Sequence, residues 1–342
     1  MTSNKLMKIG DTPIKPGHRV NINVPVADLY TSTPLNMPVQ VVCGRRAGPV
    51  MFVSAAIHGD ELNGVEIIRR LLRNKALKSL RGTLLAVPIV NVHGFLHQSR
   101  YLPDRRDLNR SFPGSAKGSV AARLANIFLK EIVTKAEYGI DLHTGAINRS
   151  NLPQIRANLD DARTLELAKS FGVPVIINAD IRDNSLRASA ADLGMPVLIY
   201  EAGEALRFDE MSIRAGLRGI LNVMRSIGML PATRSERKRV HPVVARSMSW
   251  VRAPSSGIVS SVVRLGNSVT AGQCLATISD PLGDEEDAVR APFDGIVIGC
   301  NNLPLAHEGD ALFNLAAFRS VSKVGDLVDE FTASYDKEPQ EG

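Results

Sequence analysis

Cysteine is scarce in this chain: Cys43, Cys274 and Cys300 are the three in 342 residues, far apart and without a Cys-x-x-Cys pair. An odd, scattered set excludes a disulfide scaffold and a thiolate zinc site, and it fits a reducing compartment, here the cytoplasm. Long apolar runs are also missing. The best, Val50–Ile57 and Thr83–Val90, fall far short of the roughly 20 residues that a membrane-spanning helix needs, so no membrane partner is expected. Met1–Pro16 has neither an apolar core nor a small-residue cleavage site, which argues against a signal peptide. Aromatic residues make up only 5% of the chain, which leaves no stacking surface for single-stranded nucleic acid, and no known nucleic-acid module is present. The surplus of 41 Lys and Arg over 35 Asp and Glu is therefore read as arginines gathered to hold a small anionic substrate. The densest basic run, Arg234–Arg239, reads as a solvated linker.

What is present is an ordinary globular composition, 44% hydrophobic and 22% charged, in a length that suggests one large and one small domain. Up to about Gly228 short apolar strands alternate with amphipathic helices, the pattern of an α/β domain. Strands are expected at Val39–Cys43, Val50–Ile57, Leu84–Val90, Tyr138–Leu142, Val175–Asn178 and Val197–Glu201. Several are apolar almost throughout, as strands buried on both faces are. Helical faces are expected from Val65, Ile68, Leu71 and Leu72, and from Val120, Leu124, Ile127, Phe128 and Ile132. A third helix, Asp209–Ile227, gathers Ile213, Leu217, Ile220, Leu221 and Met224 and stops at Gly228.

The texture then changes. Residues 1–230 form the expected catalytic domain with a β extension at its start, 231–244 a linker, 245–317 a small all-β module and 318–342 a tail, helical around Val324–Phe331. Within the module Ala253–Val259 (APSSGIV) recurs as Ala291–Val297 (APFDGIV), a shift of 38 positions (291 − 253), so two quasi-symmetric β halves are expected. The segment resembles the barrel-sandwich of biotinyl and lipoyl carrier domains. Such carriers need an exposed lysine between the halves, and Ser279–Asp287 has none. The module is expected to cap, orient or oligomerise the catalytic domain, and a homo-oligomer is compatible with the sequence.

Chemistry concentrates at strand ends. Ile57–Gly64 (IHGDELNG) follows a buried strand and precedes a helix, so His58 and Glu61 stand where α/β enzymes build their sites. Gly139–Gly145 (GIDLHTG) is a second strand ending in a polar turn, and its His143 could join them. Two His and one Glu with a fourth position left for water is the ligand set of a catalytic zinc ion, the set the thermolysin and carboxypeptidase A sites exemplify. His18, His93, His97, His241 and His307 lack such a setting. After Arg100 comes Asp104–Gly114 (DRRDLNRSFPG), in which Arg105 and Arg106 read as a solvated loop. Asn109 and Arg110 instead pair an amide with a guanidinium fork, as recognition of a small carboxylate requires. Pro196–Gly203 ends a buried strand with Glu201, either a salt-bridged structural group or a general base beside a metal.

HGDE, DLNRSFPG, DLHTG and YEAG, in that order, resemble the succinylglutamate desuccinylase/aspartoacylase family, relatives of zinc carboxypeptidases. The resemblance runs from about Pro16 into the small β module. It implies a zinc carboxypeptidase-like mixed sheet flanked by helices, followed by a barrel-sandwich. It also implies one zinc ion on His58, Glu61 and His143, with Glu201 as base and Asn109 with Arg110 on the substrate's α-carboxylate. Asp107 matches an acid that orients the first histidine. Arg100 matches a carbonyl-polarising arginine, although its distance to DLNR is two residues longer than in aspartoacylase. Arg187 matches a further substrate arginine, again with altered spacing. The implied activity is a zinc-dependent amidohydrolase that removes an acyl group from an N-acyl amino acid. A metallocarboxypeptidase would use the same zinc and arginines in a cleft open to peptides. A binding or assembly protein would use the β module and leave the zinc domain inert.

Overall fold

The computed structural model describes residues 7–232 and 242–336; the basic run 234–239 and most of the expected linker lie outside the described residues. A mixed sheet runs through both parts of the chain. Its strands, from one edge to the other, are Ser247–Arg252, Ala311–Ala317, Gly295–Asn301, Arg149–Ala157, Val197–Glu204, Tyr138–Gly145, Arg46–Ala55, Arg81–Val87, Pro34–Cys43 and Arg19–Asp28. The central pairings from Val197–Glu204 to Arg81–Val87 are parallel, and the outer ones antiparallel.

Alternation along these strands sorts the apolar side chains into two layers. Met51, Val53, Ala55, Ile140, Leu142, Leu198 and Tyr200 face helices Asn63–Arg73, Ala162–Phe171 and Glu210–Ser226. Phe52, Leu85, Val87 and Val197 face helix Val120–Glu131 and helix Leu186–Asp192. The third expected helix is found with its ends as read: Asp209 caps it by accepting from Ser212 N, and Gly228 takes φ +78° beyond it. The expected face of Val120–Glu131 is rotated. Ala121, Leu124, Ala125 and Phe128 are buried, and Val120 is exposed because it opens the first turn after its Ser119 cap.

Several boundaries differ from the sequence reading. The strand expected at Leu84–Val90 is Arg81–Val87, since Pro88 cannot donate to the ladder. Val90 is buried instead as part of a turn, its N–H on Ala55 O. Arg149–Ala157, central to the sheet, was not expected as a strand at all. Its polar residues and Pro153 give no strand signal, and the pairing with Val197–Glu204 breaks register there, between Glu201 and Gly203. One edge of Arg149–Ala157 takes Val197–Glu204. The other is shared: Gly295–Asn301 pairs with its first residues and Val175–Asn178 with its last. Val243–Ala245, from the end of the expected linker, pairs with Val175–Asn178.

Residues 247–317 form strands, as the C-terminal composition implies. The two copies of the repeat begin strands at equivalent glycines, Gly257 and Gly295, and these strands lie in different sheets. Leu275, Ile278, Val289, Val297, Leu312 and Leu315 fill the space between. The tail is helical over Val321–Asp336 and buries Val324, Val328, Phe331 and Tyr335, one face at helical spacing.

Gly219 sets the spacing of two helices. A Cβ there would stand 2.0 Å from Phe171 Cε1, and that ring is stacked on Tyr200 at 5.0 Å. Helix propensity favours Ala over Gly by about 0.8–1 kcal/mol, whereas overpacking a core costs about 1–3 kcal/mol. The locked ring makes the second effect win. Gly219→Ala should lower the urea midpoint at unchanged slope, by about 1–2 kcal/mol of stability; a raised midpoint would show that the ring can yield.

Candidate active site

Glu61 is the hub of the site. It is 2% exposed, in the turn between Arg46–Ala55 and Asn63–Arg73, and both carboxylate oxygens are engaged. His58 Nδ1 lies 2.7 Å from Oε1 and His143 Nδ1 lies 2.8 Å from Oε2. Thr144 N donates to Oε2 at 3.2 Å and Arg100 Nη1 to Oε1 at 3.4 Å. Gly59 lets this turn pack tightly, because a Cβ there would meet Gly94 C at 2.0 Å.

Each ring is held from behind by an aspartate. His58 Nε2 is 3.1 Å from Asp107 Oδ1, and His143 Nε2 is 2.7 Å from Asp141 Oδ2. Asp107 caps the short turn Leu108–Arg110 through Asn109 N, and its other oxygen accepts from Arg100 Nη2 at 3.0 Å. Asp141 shares a strand face with His143, two residues on, and accepts from Ser54 Oγ at 2.7 Å.

Charge is concentrated here. Burial pushes the Glu61 carboxyl up, but His58 and His143 outweigh it and hold it well below the usual carboxylate range. Burial lowers His143, yet Asp141 and Glu61 more than reverse this and raise it well above its ordinary value. His58 is raised in the same way by Glu61 and Asp107 against its burial. Asp107 is pushed up by burial and brought far down by His58 and Arg100.

The donor set fits a divalent cation. Two imidazole nitrogens and a carboxylate oxygen lie within 4.8 Å of one another, all three residues are buried, and the remaining nitrogen of each ring is bound to a carboxylate. That outer support is how metal-binding histidines are fixed in tautomer and direction. A cation among these atoms would displace the protons the rings hold towards Glu61.

Glu201 is the cross-strand neighbour of His143 and faces the same side of the sheet. The strand does not end with it, as expected, but continues through a bulge to Glu204, with Gly203 at φ +74°. The Glu201 side chain is 18% exposed, and Asn151 Nδ2 donates to its Oε2 at 2.8 Å. Asn109 is buried, and its side-chain oxygen accepts from Leu186 N at 3.0 Å, which leaves the amide nitrogen to meet a ligand. Arg110 is exposed and donates to Asn109 O. Arg187 donates to the carbonyls of Ala179 and Asp180.

The structure thus gathers His58, Glu61, His143, Asp107 and Arg100 into one bonded group. Glu201 stands one strand away from it, and Asn109 and Arg110 follow Asp107 directly. His93 is buried outside the group. Sequence reasoning missed Asp141, Ser54 and Asn151. Asp141 carried a signal, an acid two positions before a histidine on one strand face.

A family model, the succinylglutamate desuccinylase/aspartoacylase catalytic domain, matches residues 47–227, more than half of the chain. The N-alpha-acetyl-L-2,4-diaminobutyric acid deacetylase of Halomonas elongata is 28% identical over 292 residues, 82% of this chain and 85% of that protein. The fold is shared with solved structures. The product-bound ectoine utilization protein EutE (DoeB) of Ruegeria pomeroyi superposes with TM-score 0.79 and 23% identity, over 90% of this chain and 97% of that one. A succinylglutamate desuccinylase/aspartoacylase of Rhodobacter sphaeroides gives 0.78 and 24%, over 89% and 97%.

Replacing Asp141 by Asn keeps the shape but removes the charge behind His143. Such outer partners typically contribute about 10–100-fold in metal affinity. Asp141→Asn should weaken divalent-metal binding by about that factor in a chelator competition; an unchanged affinity would remove Asp141 from this role.

Proposed function

The chain belongs to the succinylglutamate desuccinylase/aspartoacylase family, and we propose that it is a zinc-dependent amidohydrolase that removes an acyl group from an N-acyl amino acid. The observation that carries this reading is the buried His58–Glu61–His143 group with Glu201 beside His143 on the same sheet face. The named deacetylase of Halomonas elongata supports it. The three unpaired cysteines are consistent with work in the cytoplasm.

His58, Glu61 and His143 would hold the zinc ion. Bound there, zinc supplies a Lewis acid and lowers the pKa of a water molecule from 15.7 towards about 7. Glu201 accepts the proton of the attacking water and passes it to the amide nitrogen as the C–N bond breaks, giving a free amino acid and a carboxylate. The bond from Asn151 fixes the Glu201 carboxylate, leaving its other oxygen for that transfer. Arg100, held beside the group by Glu61 and Asp107, supplies the positive charge that stabilises the negative charge developing on the reacting carbonyl. Asn109 and Arg110 hold the α-carboxylate, and Arg187 contributes a further positive charge to the substrate.

Glu201→Gln is nearly isosteric and cannot take the proton. Zinc-loaded wild type should release amino acid from N-acetyl or N-succinyl amino acids in preference to cleaving C-terminal dipeptides. The variant should lose about 100–10,000-fold in kcat while keeping its metal. Preferential dipeptide cleavage would make the protein a carboxypeptidase, and a near-wild-type variant would remove Glu201 from the mechanism.

If Arg110 grips the α-carboxylate, the contact exists in ground and transition states alike, so Arg110→Ala should raise KM more than it lowers kcat. Arg110→Lys should not restore it, because an ammonium lacks the planar fork. Changing the substrate carboxylate to an amide should hurt wild type and cost Arg110→Ala little more. Kinetics on both substrates with both proteins check this; additive losses would separate Arg110 from the carboxylate.

A further inference from the structure

Asn63 opens helix Asn63–Arg73, two residues after Glu61, yet it does not cap that helix. Leu62 holds the cap position and makes no side-chain bond there. A polar residue at a helix start ordinarily spends its oxygen on the first free N–H groups. The Asn63 side chain is instead 1% exposed and reaches the strand that carries Glu201. Its Nδ2 donates to Ala202 O at 3.2 Å, and its Oδ1 accepts from Asp209 N at 3.0 Å.

The bulge after Glu201 explains the first of these bonds. Residues 197–201 run in register with 139–143 on one side, and that ladder resumes only at Glu204. On the other side the register passes from Glu201 to Gly203. Ala202 is thus without a cross-strand partner on either edge, and Asn63 takes its carbonyl. A buried carbonyl left open would cost more than a typical hydrogen bond returns. The fit is close, because a Cβ on Gly203 would stand 2.5 Å from Asn63 Nδ2. Two more bonds hold the segment that follows: Leu206 N donates to Asp60 O at 2.8 Å, and Ala205 N to Gly145 O at 3.0 Å. One short route from Glu61 to Glu201 therefore runs along two residues of chain, across the Asn63 bond and back one residue.

We propose that Asn63 is a positioning residue for the hydrolytic reaction: by closing the bulge at Ala202 it sets where Glu201 stands against the His58–Glu61–His143 group. The proposal rests on the deacylase reading, which makes Glu201 the base, and Asn63 acts through Glu201. Up to Glu201 the strand is located by its ladder with the His143 strand. Beyond it that ladder lapses for two residues, and the Asn63 amide supplies the fixed point. Since Asn63 belongs to the turn and helix that follow Glu61, the strand end and the ligand-bearing turn are held as one unit.

The test compares Asn63→Leu with Tyr200→Phe, which also deletes a buried hydrogen bond in this part of the fold, from Tyr200 Oη to Ser212 O. Both variants should unfold at lower urea concentration. Only Asn63→Leu should lower kcat, by about 10–100-fold with KM and metal affinity little changed, since misplacing a reacting group by about 1 Å can cost about 100-fold. In the Glu201→Gln background the same substitution should cost almost nothing further, as expected of residues that act as one. Asn63→Asp keeps the acceptor for Asp209 N and loses the donor to Ala202 O, and it serves if the leucine variant does not fold. Crystal structures of wild type and variant give a comparison without turnover: the Glu201 carboxylate should be displaced by about 0.5 Å or more, the tolerance of a built catalytic site. A loss that multiplies with that of Glu201→Gln, an equal loss in Tyr200→Phe, or an unmoved Glu201 would overturn the proposal. No turnover of any N-acyl amino acid by wild type, with Glu201 displaced in the variant, would overturn the deacylase reading and leave Asn63 as the residue that places Glu201.

Discussion

A single buried carboxylate organises this molecule. Glu61 carries its charge away from water, and an isolated buried charge costs far more than a fold can spare. Two imidazoles, a backbone N–H and a guanidinium compensate it. Each compensating group then needs a partner of its own. His143 requires Asp141, which requires Ser54 from the next strand; His58 requires Asp107, which brings the 100–110 loop over the sheet and ties down Arg100. Such a network is worth keeping only when all of its members are satisfied, because low dielectric penalises each open valence. Two parallel strands, the turn that follows one of them and one loop are thereby fixed relative to one another by charge.

The Glu201 side of the site is built differently. Glu201 draws its hydrogen bond from Asn151, and the strand of Asn151 is paired beyond its far edge with Gly295–Asn301. Gly299 lies opposite Asn151, and a Cβ there would come 3.0 Å from Asn151 Oδ1. Asn302 reinforces the joint by donating to Ser150 and to Glu204. The C-terminal strands therefore meet the catalytic sheet at the residue that orients Glu201.

How much of this was legible in the sequence follows from the same distinction. His58, Glu61 and His143 stand out because polar residues end apolar runs there, and the strands that carry them are buried on both faces. The helix expected at Asp209–Ile227 was readable to within one residue at each end, since its apolar stripe and terminal glycine agree. Arg149–Ala157 was not. It opens on three consecutive polar residues, Arg149–Asn151, carries Pro153 and breaks register, so no short-range period marks it. With that strand unread, Asn151 had no place near Glu201. Functional demand had overwritten the local signal, which is where sequence logic is expected to fail.

The joint between Gly299 and Asn151 also has a consequence in time. Its two residues are 148 positions apart (299 − 151), whereas His58 and Glu61 are three apart and His143 lies within the first half of the chain. Contacts of long sequence separation pay loop-closure entropy before they return anything. On a ribosome the His58–Glu61–His143 group can assemble once residue 143 has emerged, but the strand that steadies Glu201 gains its outer neighbour only when residues 295–301 have been made. The outer flank of the Glu201 strand pair is thus closed late in synthesis, long after His58, Glu61, His143 and Glu201 have all been made.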